Sequence, residues 1–217
     1  KPIFYNSEKV KLFEKNFAKK VGHKHAVAVS SGTAAIKTSL IAAGIKRGDE
    51  VITQAFTFIA TVEAIIDLGA KPIITEIDET LNMCPKDLEK KITKKTKAII
   101  PVHMLGVSVE IDHIKKIAKK YKIMVIDDNC EALGAKWKNK PLGSQFDACT
   151  WSFDNGKTIT TGEGGMITTN NFKLFKKMKS LRQYGFQDND QTLFDKESSN
   201  YKMNEFTYSG DLRINSE

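Results

Sequence analysis

Residues 25–35 read His25-Ala26-Val27-Ala28-Val29-Ser30-Ser31-Gly32-Thr33-Ala34-Ala35, and the architecture of the chain follows from how they are parsed. A short apolar run at His25–Val29 stops at two serines and a glycine. Apolar residues at helical spacing then continue over 34–43 and end at Gly44. A strand therefore passes into a helix through Ser30-Ser31-Gly32-Thr33, with cap-forming side chains in the turn and a glycine closing the helix. The same alternation extends to both sides. Upstream, Glu8–Val21 places Val10, Phe13, Phe17, Ala18 and Val21 at helical spacing. Downstream, the pattern predicts strands over 50–52, 72–76, 98–102, 123–126, 149–153 and 166–169. Helices are predicted over 57–68, 86–92, 111–121 and 172–181. Strands separated by helices of this length form βαβ units. The expected fold is α/β, a mostly parallel central sheet with helices on both faces.

One large domain is expected over residues 1–183, including the N-terminal helix 8–21. From 184 to 217 the chain becomes a polar segment, and 187–200 is rich in Asp, Gln and Ser. A length of 217 residues suits a single full core. Apolar content of 41% and charged content of 28% are ordinary for a globular protein. No apolar run approaches the ~20 residues needed to cross a bilayer, so no membrane partner is expected. The start at Lys1 instead of a methionine predicts that some sequence precedes it.

The net charge of +8 comes almost entirely from lysines, since only Arg47, Arg182 and Arg213 are arginines. They lie along amphipathic segments and read as solvated helix faces, with no arginine-rich, aromatic-interleaved patch for nucleic acid. Cys84, Cys130 and Cys149 form no paired motif, which points to a reducing cytoplasm. The four histidines make no metal pattern: His23 and His25 flank one residue, while His103 and His113 stand alone.

In open parallel sheets a ligand sits beyond the carboxyl ends of the strands. Four features lie there. Ser31-Gly32-Thr33 joins a strand to a helix start, where backbone N–H groups and the helix dipole can hold an anion. Asp127-Asp128 follows Val125-Ile126 and brings a carboxylate to the same edge. Phe58, after the strand at 50–52, could stack on a flat ring. Lys157 lies between Ser152-Phe153 and Gly162-Glu163-Gly164-Gly165, with no charged helical face around it. Taken singly these are a helix cap, a loop acid, a core aromatic and a surface lysine. Together an amine, a carboxylate and an anion site are the anchors that pyridoxal phosphate requires.

The ordered set is more specific. Over about residues 5–207, segments 26–35, 48–52, 57–61, 69–72, 101–106, 125–134 and 152–165 resemble the DegT/DnrJ/EryC1/StrS family of pyridoxal-phosphate-dependent sugar aminotransferases, with the aspartate-aminotransferase fold. The resemblance implies a role for each matching position. Lys157 would anchor the cofactor and move protons as general acid and base. Asp128 would pair with the pyridine nitrogen, Glu131 would lie near the ring hydroxyl, and Phe58 would stack on the ring. Ser31, Gly32, Thr33 and Ser152 would hold the phosphate. Asn200 and Lys202, within 200–206, match the stretch that reaches the phosphate of a neighbouring subunit, which implies a homodimer with shared sites.

The activity implied is transfer of an amino group, from glutamate, to a nucleotide-linked keto-sugar in amino-sugar or surface-polysaccharide biosynthesis. Pyridoxal and pyridoxamine phosphate would alternate as the cofactor. The alternatives are the family's pyridoxamine-phosphate-dependent sugar 3-dehydratase branch, which has histidine where this chain has Lys157, and a truncated, non-catalytic relative. A dinucleotide-binding oxidoreductase is disfavoured, because no G-x-G-x-x-G follows a strand. The family continues beyond this stretch into a small C-terminal domain. The text after Thr207 departs from that pattern, so this domain is expected to be absent.

Overall fold

The computed structural model describes residues 7–183. In chain order the main elements are α1 (Glu8–Val21), β1 (His25–Val29), α2 (Gly32–Ala43), β2 (Glu50–Gln54), α3 (Ile59–Asp67), β3 (Lys71–Thr75), α4 (Pro85–Lys91) and β4 (Thr96–Ile100). They continue with α5 (Ile111–Tyr121), β5 (Met124–Asp128), a small hairpin of β6 (Lys136–Trp137) and β7 (Lys140–Pro141), β8 (Ala148–Ser152), β9 (Gly165–Thr169) and α6 (Phe172–Arg182). Among the described residues the main sheet has seven strands in the order β1-β9-β8-β5-β4-β2-β3. From β3 across to β8 neighbouring strands are parallel, and β9 runs antiparallel to both β8 and β1.

The two-residue period of the strands sorts their side chains between two apolar layers. Val51, Ala98, Ile100 and Ile126 pack with Ile36 and Leu40 of α2 and with Ala64 and Ile65 of α3. On the same side, Val27, Ala148 and Ile167 meet Ala35 of α2 and Leu174 and Met178 of α6. Their sequence neighbours point the other way. Ile52, Ile99 and Val125 pack with Leu88 of α4 and Ile111, Ile114 and Ile117 of α5. Ala26, Cys149, Trp151 and Met166 pack with Phe17, Ala18 and Val21 of α1. Helices α2, α3 and α6 thus cover one face and α1, α4 and α5 the other, the arrangement expected from the sequence.

Edge strands expose unpaired backbone groups, and β1 has a covalently distant remedy. Glu14 Oε1 on α1 accepts the Ala28 N–H at 2.8 Å. Arg182, at the end of α6, donates to the Ala28 carbonyl at 3.3 Å and pairs with the same Glu14 carboxylate. The opposite edge, β3, carries Pro72, which an outer strand tolerates because its missing N–H is not needed by a second neighbour.

Several boundaries move, each for a local reason. Strand β4 ends at Ile100 instead of continuing to 102, because Pro101 has no N–H for the ladder. Lys122 adopts a left-handed conformation that closes α5, and β5 consequently starts at Met124 and runs through Asp128. The predicted helix over 57–68 begins only at Ile59, with Phe58 as its N-cap. The β6–β7 hairpin was not anticipated from the sequence. The polar stretch 187–200, the candidates Asn200 and Lys202, and the whole segment 184–217 lie outside the described residues.

Candidate active site

Five loops at one edge of the sheet enclose a cavity of about 340 Å³. Its walls include Ser31, Gly32, Thr33, Phe58, Asp128, Glu131, Ser152 and Lys157, so every described candidate from the sequence reaches the same space. They come from the ends of β1, β2, β5 and β8, as the edge rule for parallel sheets requires.

The anion end is built by the first turn of α2. Ser31 is the N-cap, and its side chain accepts the Ala34 N–H at 3.0 Å. Gly32 and Thr33 are the first two helical residues, whose N–H groups have no intrahelical acceptor and carry the positive end of the helix dipole. The turn is pressed tightly into its surroundings. A Cβ on Gly32 would lie 3.0 Å from both Cys130 Sγ and Ser152 Cβ, and one on Gly165 would lie 2.2 Å from the Ser31 carbonyl oxygen. Gly165 therefore serves the close approach of β9 to the turn, while Gly164 packs against Thr161 and Phe153 of its own loop. The loop between β8 and β9 is stitched back on itself: Phe153 N–H donates to the Gly164 carbonyl, and Thr161 N–H and Thr160 Oγ1 donate to the Phe153 carbonyl.

The acid end is the terminus of β5. Alternation along the strand settles which of the paired aspartates faces the cavity: Asp128 does, and Asp127 points to the opposite face of the sheet. Asp128 is 4% exposed. Its carboxylate accepts Thr61 Oγ1–H at 2.9 Å and the Cys130 N–H at 3.1 Å. Burial pushes the Asp128 carboxyl above its ordinary range, while the bonds from Cys130 and Thr61 work in the opposite direction. A cationic N–H donor placed against it would relieve that desolvation.

Lys157 lies in the loop after β8, its backbone N–H donating to the Asp154 carbonyl at 3.0 Å. Its amine is partly buried and stands 3.9 Å from Glu131 Oε1. The other Glu131 oxygen accepts the Leu105 N–H at 3.1 Å, which ties the cavity wall to the turn after β4. Phe58 lines the cavity but is 67% exposed, so it is a rim residue and not the core aromatic of the plain reading.

Sequence reasoning passed over several wall residues. Thr61, Cys130, Asp154, Glu163 and Met104 all line the cavity. Thr61 carried a usable signal, a threonine one turn into the helix that follows Phe58. His103, read as standing alone, is paired: its Nε2 lies 2.8 Å from Asp127 Oδ1.

An amine, a buried acid and a helix N-terminus on one wall fit a phosphorylated pyridine aldehyde, and the absence of a side chain at Gly32 lets Ser152 and Cys130 close against the helix N-terminus. Comparison with known proteins agrees with this geometry. The model of the DegT/DnrJ/EryC1/StrS aminotransferase family matches residues 3–209. A GDP-perosamine synthase of Caulobacter vibrioides is 44% identical over 192 residues, covering 88% of this chain and 52% of that protein. The solved aminotransferase from Psychrobacter cryohalolentis superposes with a TM-score of 0.83 at 36% identity, over 85% of this chain and 47% of that one. NtdA from Bacillus subtilis, solved with bound cofactor PMP, superposes with a TM-score of 0.82 at 35% identity, over 87% and 43%. The chain spans about half the length of the curated relatives it matches. With a family match across nearly its whole length and the matching residues gathered in one cavity, the chain belongs to the DegT/DnrJ/EryC1/StrS aminotransferase family.

Proposed function

We propose that the protein is a pyridoxal-phosphate-dependent aminotransferase that moves an amino group from glutamate to a nucleotide-linked keto-sugar, in the synthesis of amino sugars for surface polysaccharide. The observation that carries this reading is the convergence of Lys157, Asp128 and the N-terminus of α2 on one cavity. When bound, the cofactor supplies an aldehyde carbon and an electron-withdrawing ring. The chain's own residues would do the rest. The Gly32 and Thr33 N–H groups and the Ser152 hydroxyl would hold the phosphate, and Asp128 the ring-nitrogen proton. Phe58 would cover one ring face, and Glu131 would stand beside the ring hydroxyl. Lys157 would anchor the cofactor through Nζ and, once freed, move the proton within each half-reaction, off the donor's carbon in the first and onto the acceptor's carbon in the second.

The dehydratase alternative is disfavoured by lysine at position 157. A homodimer with shared sites is supported by the rim and by the charge balance. The segments bordering the cavity expose Phe56, Phe58, Ile59, Leu105, Val107 and Ile159. Its described wall carries Asp128, Glu131, Asp154 and Glu163 against the one cation Lys157, so a phosphate dianion there calls for positive charge from elsewhere. Among the described residues no helix is long and apolar enough to cross a membrane, and the three cysteines are free. A cytoplasmic setting accords with these features.

Adding pyridoxal phosphate to the purified chain is expected to produce a visible absorbance band, and borohydride reduction to leave the cofactor mass on the peptide containing Lys157. Lys157→Ala is expected to lose both, and glutamate is expected to bleach the wild-type band with release of 2-oxoglutarate. Wild type that acquires no band would overturn the reading.

A further inference from the structure

We propose that His103 and Asp127 form a buried positioning pair on the reverse face of β5 that keeps Asp128 a strong proton acceptor toward the cavity. The proposal rests on the cofactor reading above. His103 and Asp127 are both fully buried, and His103 Nε2 stands 2.8 Å from Asp127 Oδ1, off the axis of an ideal hydrogen bond. The tautomer follows from the other ring nitrogen. His103 Nδ1 accepts the Val109 N–H at 3.1 Å, so the ring hydrogen belongs on Nε2, facing Asp127, and the ring is neutral.

The second Asp127 oxygen accepts Asn129 Nδ2–H at 2.7 Å and lies 3.6 Å from the Cys149 thiol. His103 and Asn129 thus face Asp127 with donors, the thiol hydrogen is shared with the nearer Gly143 carbonyl at 3.2 Å, and none of the three is a fixed cation. His23, the other histidine near Asp127, is held neutral by burial, its pKa lowered to about 4. The Cys149 thiol is likewise pushed up by burial and stays protonated. Donors without a cation hold a carboxylate as an acceptor without cancelling its charge.

That charge acts on the adjacent residue. His103 also donates its backbone N–H to the Asp128 carbonyl at 3.1 Å, so the same residue grips both aspartates. On the cavity side Asp128 faces Thr61, Cys130 and, across the space, Lys157, Glu131, Asp154 and Glu163. Burial is the larger cause of the raised Asp128 carboxyl, and negative charge behind it adds in the same direction; a ring N–H in the cavity is the group that would profit. His103 and Asp127 touch no ligand themselves; they act through Asp128.

The test uses the full chain in two states. In the cofactor-free protein with ¹³C-labelled aspartate, Asp127→Asn is expected to lower the pH at which the Asp128 carboxyl titrates. His103→Phe is expected to move it in the same direction by less, and His103→Gln, which keeps an amide donor, to restore the wild-type value. Equilibrium dialysis then compares pyridoxamine phosphate with its analogue bearing carbon in place of the ring nitrogen. Asp127→Asn is expected to weaken the first and to leave the second unchanged. Equal losses for both ligands, or an Asp128 titration that Asp127→Asn does not move, would overturn the pair. If wild type binds neither ligand while the titration still shifts, the pair stands and the cofactor reading fails.

Discussion

Gly165 shows how far a single residue controls this site. Its backbone pairs with Val29 on one side and Ser152 on the other, so it cannot retreat, and the Ser31 carbonyl lies where a Cβ would go. Gly165→Ala is expected to cost about 2 kcal/mol in urea unfolding and to release the cofactor on dialysis; unchanged cofactor retention would show that the turn can move. His23 makes a pH prediction. Burial lowers its pKa from 6.5 to about 4, so between those values the unfolded chain binds the proton and the folded one does not. Stability is therefore fully present above pH 6.5 and falls as the pH drops toward 4, by about 3 kcal/mol in all. His23→Gln should flatten that part of the profile. At this scale the sequence was informative where chemistry and chain order coincide: Ser31, Asp128 and Lys157 each lie at or just after a strand end. It was silent on His103, whose partner carboxylate is reached only through β4–β5 pairing, and it marked Thr61 only by its place one turn into α3, not by the Asp128 carboxylate it meets.

Among the elements, the helices and parallel strands were legible because period 3.6 and β-branched runs survive in a single sequence, whereas two features were hidden for different reasons. The β6–β7 hairpin turns on Lys138 and Asn139, both at positive φ, the type I′ geometry usually announced by Asn-Gly. Without the glycine no turn signal is visible. The closure of edge strand β1 joins Glu14 to Arg182 across 168 residues, a pairing no local pattern encodes. The energetics of that closure can be checked. Glu14→Ala strands a largely buried guanidinium and leaves the Ala28 N–H unpaired, which should destabilise the protein by about 3–5 kcal/mol. The Glu14→Ala/Arg182→Met double variant should regain a large part of that loss, since the cost lies mainly in the abandoned charge. A double variant no more stable than Glu14→Ala would mean that the backbone bond at Ala28 dominates.

For the molecule as a whole, the apolar rim and the acidic cavity make the same demand. Leu105 is 71% exposed and Ile159 is more than half exposed, on two loops that border the cavity. Leu105 also adopts a left-handed backbone, which costs a non-glycine residue about 1–2 kcal/mol. That cost is offset in part by the Glu131 acceptor on its N–H. Exposed apolar side chains, one of them on a strained backbone, are poor choices for water and good ones for an interface. Two copies meeting at this rim would cover the side chains and bring each cavity within reach of the other copy's positive charge, of which the chain has a net +8. Sedimentation of the wild type is expected to give a dimer at micromolar concentration. Leu105→Glu combined with Ile159→Glu should shift it to monomer, and retention of pyridoxamine phosphate should fall in parallel, although neither side chain is needed to contact the phosphate. If wild type sediments as a monomer and still retains the cofactor, the missing positive charge must come from within the same chain.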